Sequence, residues 1–144
     1  MRSQPAIGHV KDTGTAIGRG IYASRSISPG GIVEISPVIL VSGDFDDLPT
    51  EIRHIVFNWN VLAKMSGFHA IALGYGSMYN HSNPANLRYD ACGNGQFLRF
   101  IAVSQITKDT ELTVNYNALE GYPTSDKDTW FDRNEIEPIQ RITE

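Results

Sequence analysis

A β-rich α+β fold is predicted for this 144-residue chain by three features of the sequence. Short runs of alternating or β-branched apolar residues recur along it, Gly- and Pro-containing turns separate them, and only one stretch carries helical periodicity. The length suits a single domain, and 41% apolar with 19% charged residues is enough to build one core without a disordered tract. The domain is expected to fold alone.

From Ile17 to Val41 the chain reads as short strands broken by turns. Ser28-Pro29-Gly30-Gly31 is the strongest turn signal, because Pro presets φ and Gly tolerates positive φ. Ile32 to Ser36 alternates as a strand, Pro37 pushes it to an edge or an end, and Val38 to Val41 resumes it. A helical insert is expected near residues 47–66, with Asp47 as cap and Pro49 in the first turn. Ile52, Ile55, Val56 and Trp59 follow at helical spacing, although Val56 to Val61 also suits extended chain. Leu87 to Asp90, Gln96 to Ala102 and Glu111 to Tyr116 read as strands, with Gly93-Asn94-Gly95 as a hairpin turn. Residues 118–144 begin as a loop and finish as a short helix through Asp128 to Glu137.

Composition excludes several roles. Cys92 is the single cysteine, so neither an internal disulfide nor a cysteine-based zinc cluster is available, and no metal site is expected from four scattered histidines. The first ten residues lack the apolar run of a signal peptide and no segment approaches the length of a membrane span, so an intracellular protein with no membrane role is expected. A net charge of −4 with only four lysines argues against direct nucleic-acid binding. Acidic residues gather at Asp44, Asp46, Asp47 and Glu51, and seven acids against three bases lie between Glu120 and Glu144. Such a field is ordinarily a solvated face, but it would attract a cationic peptide.

Three segments carry the chemistry. They are Gly18-Arg19-Gly20-Ile21-Tyr22-Ala23, then Gly74-Tyr75-Gly76-Ser77-Met78-Tyr79-Asn80-His81-Ser82, then Glu111-Leu112-Thr113-Val114-Asn115-Tyr116. Taken singly each has a plain reading: a tight turn, a polar turn with a hydrogen-bonded histidine, and a strand ending on a tyrosine. In order and spacing together they resemble the three signature motifs of the SET-domain protein lysine methyltransferases, over about residues 14–117. The resemblance implies several small sheets around a knot-like core, in which the segment ending at Tyr116 passes beneath the loop after Asn80. It also implies S-adenosyl-L-methionine as cofactor, held by Gly18, Arg19, Gly20, Asn80 and His81, with Tyr22 and Trp130 as further contacts. Tyr116 is the implied main catalytic group, and Tyr89, nine residues beyond Asn80, the second active-site tyrosine; Tyr75 is another available channel wall.

The chain departs from the family pattern in two ways. Asn83-Pro84-Ala85-Asn86 has Asn where relatives commonly place Cys, with Pro one place early, and the cysteine-rich segment that binds zinc in many relatives is missing. Closure of the site would fall to residues 118–144, where Trp130 and Phe131 are the apolar candidates. The implied reaction is direct methyl displacement from a sulfonium to a lysine amine. The sulfonium charge and a dry channel both lower the lysine pKa, so Tyr116 needs only to orient and polarise. The expected substrate is a basic segment such as a histone tail, histone H3 first, and the expected location the nucleus, with the cytoplasm second. Self-pairing into a homodimer would shield apolar edges. The alternatives are a lysine methyltransferase for a non-histone protein and a non-catalytic module of the same fold that binds a peptide.

Overall fold

The computed structural model describes residues 1–116. Trp130, Phe131 and the helix expected through Asp128 to Glu137 lie outside the described residues. In chain order the strands are β1 (Gly8–Asp12), β2 (Arg19–Ala23), β3 (Ile32–Ser42), β4 (Val56–Asn58), β5 (Phe68–Ala72), β6 (Asn80–His81), β7 (Leu87–Cys92), β8 (Phe97–Ala102) and β9 (Glu111–Val114). They form two sheets, one ordered β1-β2-β9-β6 and the other β4-β5-β3-β8-β7. All pairings are antiparallel except β6 with β9. Both sheets feed one core, in which Ile21 and Leu112 of the first meet Val33, Leu98 and Phe100 of the second as fully buried side chains. The predicted β-rich α+β fold is what the chain adopts.

The long helix expected within residues 47–66 is not continuous. A 3-10 turn (Phe45–Asp47), helix α1 (Thr50–Arg53), strand β4 and helix α2 (Trp59–Ala63) share that stretch. Asp47 ends the 3-10 turn, and Pro49 takes the cap position of α1 without a side-chain bond. Val56 and Phe57 leave the helical path because they pair with Ile71 and Ala70 of β5. Tertiary pairing outweighs helical spacing where two bulky residues suit a strand. Asn58 then restarts a helix by accepting a bond from the Val61 N–H at 3.2 Å. Trp59 is fully buried there, and its Nε1 donates to the Gly95 carbonyl at 3.1 Å, tying α2 to the β7–β8 turn.

Pro37 neither ends β3 nor confines it to an edge. The strand runs through it and changes main partner there, since Ile32 to Pro37 pair with β8 and Val38 to Ser42 with β5. The missing proline N–H therefore falls at a handover where no ladder bond depends on it. The hairpin at Gly93-Asn94-Gly95 forms as expected, with Cys92 opposite Phe97, and the Gly31 N–H closes the Ser28 turn on the Ser28 carbonyl at 2.9 Å.

Candidate functional site

The three motifs converge around β9. β6 is only two residues long, with Asn80 beside Thr113 and His81 beside Val114, and the Ser82 N–H continues the contact to the Val114 carbonyl at 2.9 Å. Beyond that point the Asn86 side chain takes over. Its Oδ1 accepts from the Thr113 N–H at 2.9 Å and its Nδ2 donates to the Glu111 carbonyl at 2.9 Å. A single amide thus stands in for a peptide group of the missing strand, and the loop 82–86 is strapped along β9. Asn83, the residue in the unusual position, accepts from Asn115 Nδ2 at 3.4 Å, so the altered loop stays attached to the segment carrying Tyr116.

The glycine motif meets the asparagine at the start of β2. Asn80 Nδ2 donates to the Arg19 carbonyl at 2.8 Å and to Glu111 Oε2 at 2.9 Å. Gly20 is needed for that approach, because a Cβ there would lie 2.5 Å from Glu111 Oε2 and 3.1 Å from Asn80 Nδ2. Gly18, at φ +88°, faces open space. The Arg19 side chain is exposed, and this residue enters the cluster through its carbonyl.

His81 and Tyr116 are held to each other. The Tyr116 N–H donates to His81 Nδ1 at 3.0 Å, which puts the proton of a neutral imidazole on Nε2, and the two rings lie 5.1 Å apart. The Tyr116 hydroxyl donates to the Tyr79 carbonyl at 3.0 Å. Tyr89 is buried against Phe57 and Phe100, with ring separations of 5.3 and 6.1 Å, and its hydroxyl donates to the Asn115 carbonyl at 3.3 Å. Burial, and then the neighbouring Tyr116, raises the Tyr89 phenol above its ordinary pKa, so it stays protonated. Tyr116, Tyr89, Asn80, His81 and the Gly18–Gly20 turn therefore gather at β9 and the residues that follow it.

Tyr22 stands differently. It is paired with Glu111, but its ring carries the Lys11 ammonium 4.3 Å from the centroid and stacks near His9 at 6.4 Å. Tyr75 packs half-buried on the core, and its backbone N–H donates to Glu34 Oε2 at 3.0 Å. Among the described residues no group of three or more His, Cys, Asp or Glu is placed to hold a metal ion, and no helix is long and apolar enough to cross a membrane.

Glu34 escaped the sequence reading. It is 2% exposed on β3, where its Oε1 accepts from the Tyr79 hydroxyl at 2.6 Å and its Oε2 from the Tyr75 N–H at 3.0 Å. Gly74 is required beside it, since a Cβ there would run into Glu34 Oε2. The carboxylate therefore fixes the residue whose own carbonyl receives the Tyr116 hydroxyl. Burial raises its pKa above the ordinary 4.5, an effect that its hydrogen bonds offset only in part. A raised folded pKa means that the native state binds the proton more tightly. The stabilising contribution is then fullest below pH 4.5 and is lost as pH rises through the folded value. Glu34→Gln, which mimics the protonated form, is expected to gain stability relative to the wild type as pH increases from that value. Urea unfolding of both proteins at several pH values between about 4 and 8 checks this, and parallel stability curves would refute it.

Known proteins resemble this chain over the same region. The model of the SET domain family matches residues 18–117. A Schizosaccharomyces pombe protein described as "Histone-lysine N-methyltransferase, H3 lysine-37 specific" is 27% identical over 99 residues, which cover 69% of this chain and 66% of that protein. This chain thus spans just under two thirds of that relative. A Plasmodium falciparum candidate histone methyltransferase has a similar fold, with a TM-score of 0.61 at 20% identity over 78% of this chain and 94% of that one. The Chaetomium thermophilum polycomb repressive complex 2 contains a chain that aligns with a TM-score of 0.60 at 18% identity, over 78% of this chain and 15% of that one. At such identities these two structures speak for the fold alone.

Proposed function

The chain belongs to the SET-domain family, and from that premise we propose that it is an S-adenosyl-L-methionine-dependent protein-lysine N-methyltransferase acting on a histone tail, histone H3 first. One observation supports this most. The side chains of Asn80 and Tyr116 and the turn Gly18–Gly20, far apart in sequence, are tied into one bonded cluster through Glu111, His81 and Tyr79. A purely peptide-binding module has no need of that set.

The residues present fit the cofactor. Gly18 has open space beside it, and the Asn80 amide is bonded to the carbonyl of the next residue, Arg19, at 2.8 Å. When bound, S-adenosylmethionine would supply a sulfonium-borne methyl group. On the other side the Tyr116 hydroxyl has its proton committed to the Tyr79 carbonyl, so its oxygen presents an acceptor to an incoming amine. Acceptors that take the N–H bonds of a neutral lysine amine leave the lone pair free to aim at the methyl carbon. His81 keeps Tyr116 in place through its backbone, and Tyr89 with Phe57 and Phe100 keeps the inner wall dry. No residue has to act as a strong base, because a lysine with an ordinary pKa near 10.4 loses its proton more readily in a dry channel beside a cation.

The reading carries further parts: a nuclear location, one domain over residues 1–144, and closure of the site by residues 118–144 with Trp130. Transfer of tritiated methyl from S-adenosylmethionine to core histones and to proteins of a cell extract tests it. Label recovered as methyl-lysine in histone H3 is the expected result. Label only in other proteins would overturn the histone assignment, and no label in either would overturn the enzyme reading.

A further inference from the structure

Glu34 reaches from β3, in the second sheet, to both ends of the segment 75–79 that leads into β6. Its Oε2 accepts from the Tyr75 N–H at 3.0 Å and its Oε1 from the Tyr79 hydroxyl at 2.6 Å. Glu34 and Tyr79 are each 2% exposed, and the Tyr79 ring packs on Phe100 with centroids 4.8 Å apart. Water is therefore poorly placed to replace the carboxylate.

What this segment presents to the site is the Tyr79 carbonyl, which accepts from the Tyr116 hydroxyl at 3.0 Å. The direction of that bond matters for the reaction. A proton committed to the carbonyl leaves the phenol oxygen as an acceptor toward an amine, whereas a proton released from it can be donated to the amine nitrogen, where it occupies the lone pair that must attack the methyl carbon. From this geometry, and resting on the methyltransferase reading above, we propose that Glu34 is a positioning residue for the transfer step: by fixing Tyr75 and Tyr79 it holds the Tyr79 carbonyl where it takes the Tyr116 proton, and so keeps the amine lone pair free. Glu34 acts through Tyr79 and Tyr116 and needs no contact with substrate or cofactor. Its effect therefore belongs to the rate of transfer and not to cofactor binding.

Single-turnover methyl transfer to core histones by the whole chain, measured with and without the Tyr116 hydroxyl, tests this. Glu34→Ala is expected to slow transfer by about tenfold or more, while calorimetry with S-adenosylhomocysteine gives an affinity within about twofold of the wild type. Tyr79→Phe, which removes only the hydroxyl and keeps the ring on Phe100, is expected to slow it by about threefold or more. Glu34→Gln, whose amide oxygen accepts the Tyr75 N–H while its NH2 donates to the Tyr79 oxygen, is expected to stay within about twofold of the wild type. Added to Tyr116→Phe, both Glu34→Ala and Tyr79→Phe are expected to change the rate by less than about twofold, because no hydroxyl is left to direct. A carboxylate that served only the fold would slow both backgrounds by the same factor. Equal slowing in the two backgrounds, or a wild-type rate in folded Glu34→Ala, would overturn the proposal. Should Glu34→Ala fail to fold, Tyr79→Phe decides by the same two comparisons. Absence of transfer by the wild type would instead remove the reading on which this role rests.

Discussion

Tyr116→Phe is expected to slow methyl transfer by about a hundredfold or more while changing cofactor affinity by less than about twofold. The asymmetry follows from where the hydroxyl points. Its hydrogen bond runs to the Tyr79 carbonyl and its backbone N–H to His81 Nδ1, so the ring position is fixed by contacts that phenylalanine mostly keeps. What disappears is an acceptor for the amine, which matters as the lone pair is brought into line with the methyl group. A factor of a hundred corresponds to about 2.7 kcal/mol, the size expected for a positioned hydrogen bond that acts in a dry transition state. Single-turnover rates at saturating cofactor and substrate make the measurement. A rate within about threefold of the wild type would reduce Tyr116 to a packing residue and favour the peptide-binding alternative.

The sequence announced this site better than it announced the fold around it. Gly18-Arg19-Gly20, Asn80-His81 and Tyr116 could be picked out because special residue types stand in a fixed order along the chain. The structure then ties them into one cluster by short hydrogen bonds. Strands with clear alternation and a turn at each end, such as Leu87–Cys92 and Phe97–Ala102, were also legible. Strands that owe their existence to a partner were not. β6 is two residues long and carries no periodicity, and β1, with a half-buried and exposed pattern and a lysine and a histidine, looks like a loop until β2 is laid beside it. The same cause broke the expected helix at Val56, where pairing with Ile71 of β5 decides the conformation.

Two side chains that organise the site were missed for a different reason. Glu34 reads as the polar member of an alternating strand, Ile32 to Ser36, and nothing in that pattern says that its face is buried against Tyr79. Asn86 stands in the sequence as the last residue of the Asn83-Pro84-Ala85-Asn86 run, and nothing there says that its side chain bonds β9. A signal for Glu34 was available in Gly74, since a residue without a side chain there leaves room for a carboxylate, but it could be read only with the two segments already placed together. Tyr22 drew notice only because it stands next to the glycine motif, and the structure adds that the Lys11 ammonium and the His9 ring lie near its own ring, at 4.3 and 6.4 Å.

Asn86→Ala is expected to be the most damaging single change to the fold near the site. The side chain satisfies one N–H and one carbonyl of β9, at Thr113 and Glu111, each at 2.9 Å. Thr113 is 6% exposed, so water is poorly placed to replace the lost partner. Leaving two backbone groups without partners costs about 1–3 kcal/mol each, and a loss of about 3 kcal/mol is a large part of the stability of a domain this size. At about 3 °C per kcal/mol for a chain of 144 residues this lowers Tm by about 10 °C. The consequence reaches the site, because β9 presents Glu111 to Asn80 and leads directly into Tyr116. Asn86→Asp separates the two bonds. It keeps the acceptor for the Thr113 N–H but sets a carboxylate oxygen against the Glu111 carbonyl, so it is expected to be destabilised as well, with the carbonyl clash rather than an orphaned N–H as the cause. Thermal unfolding of the wild type and both variants decides the matter, and a Tm for Asn86→Ala within about 2 °C of the wild type would mean that β9 holds its place without this strap.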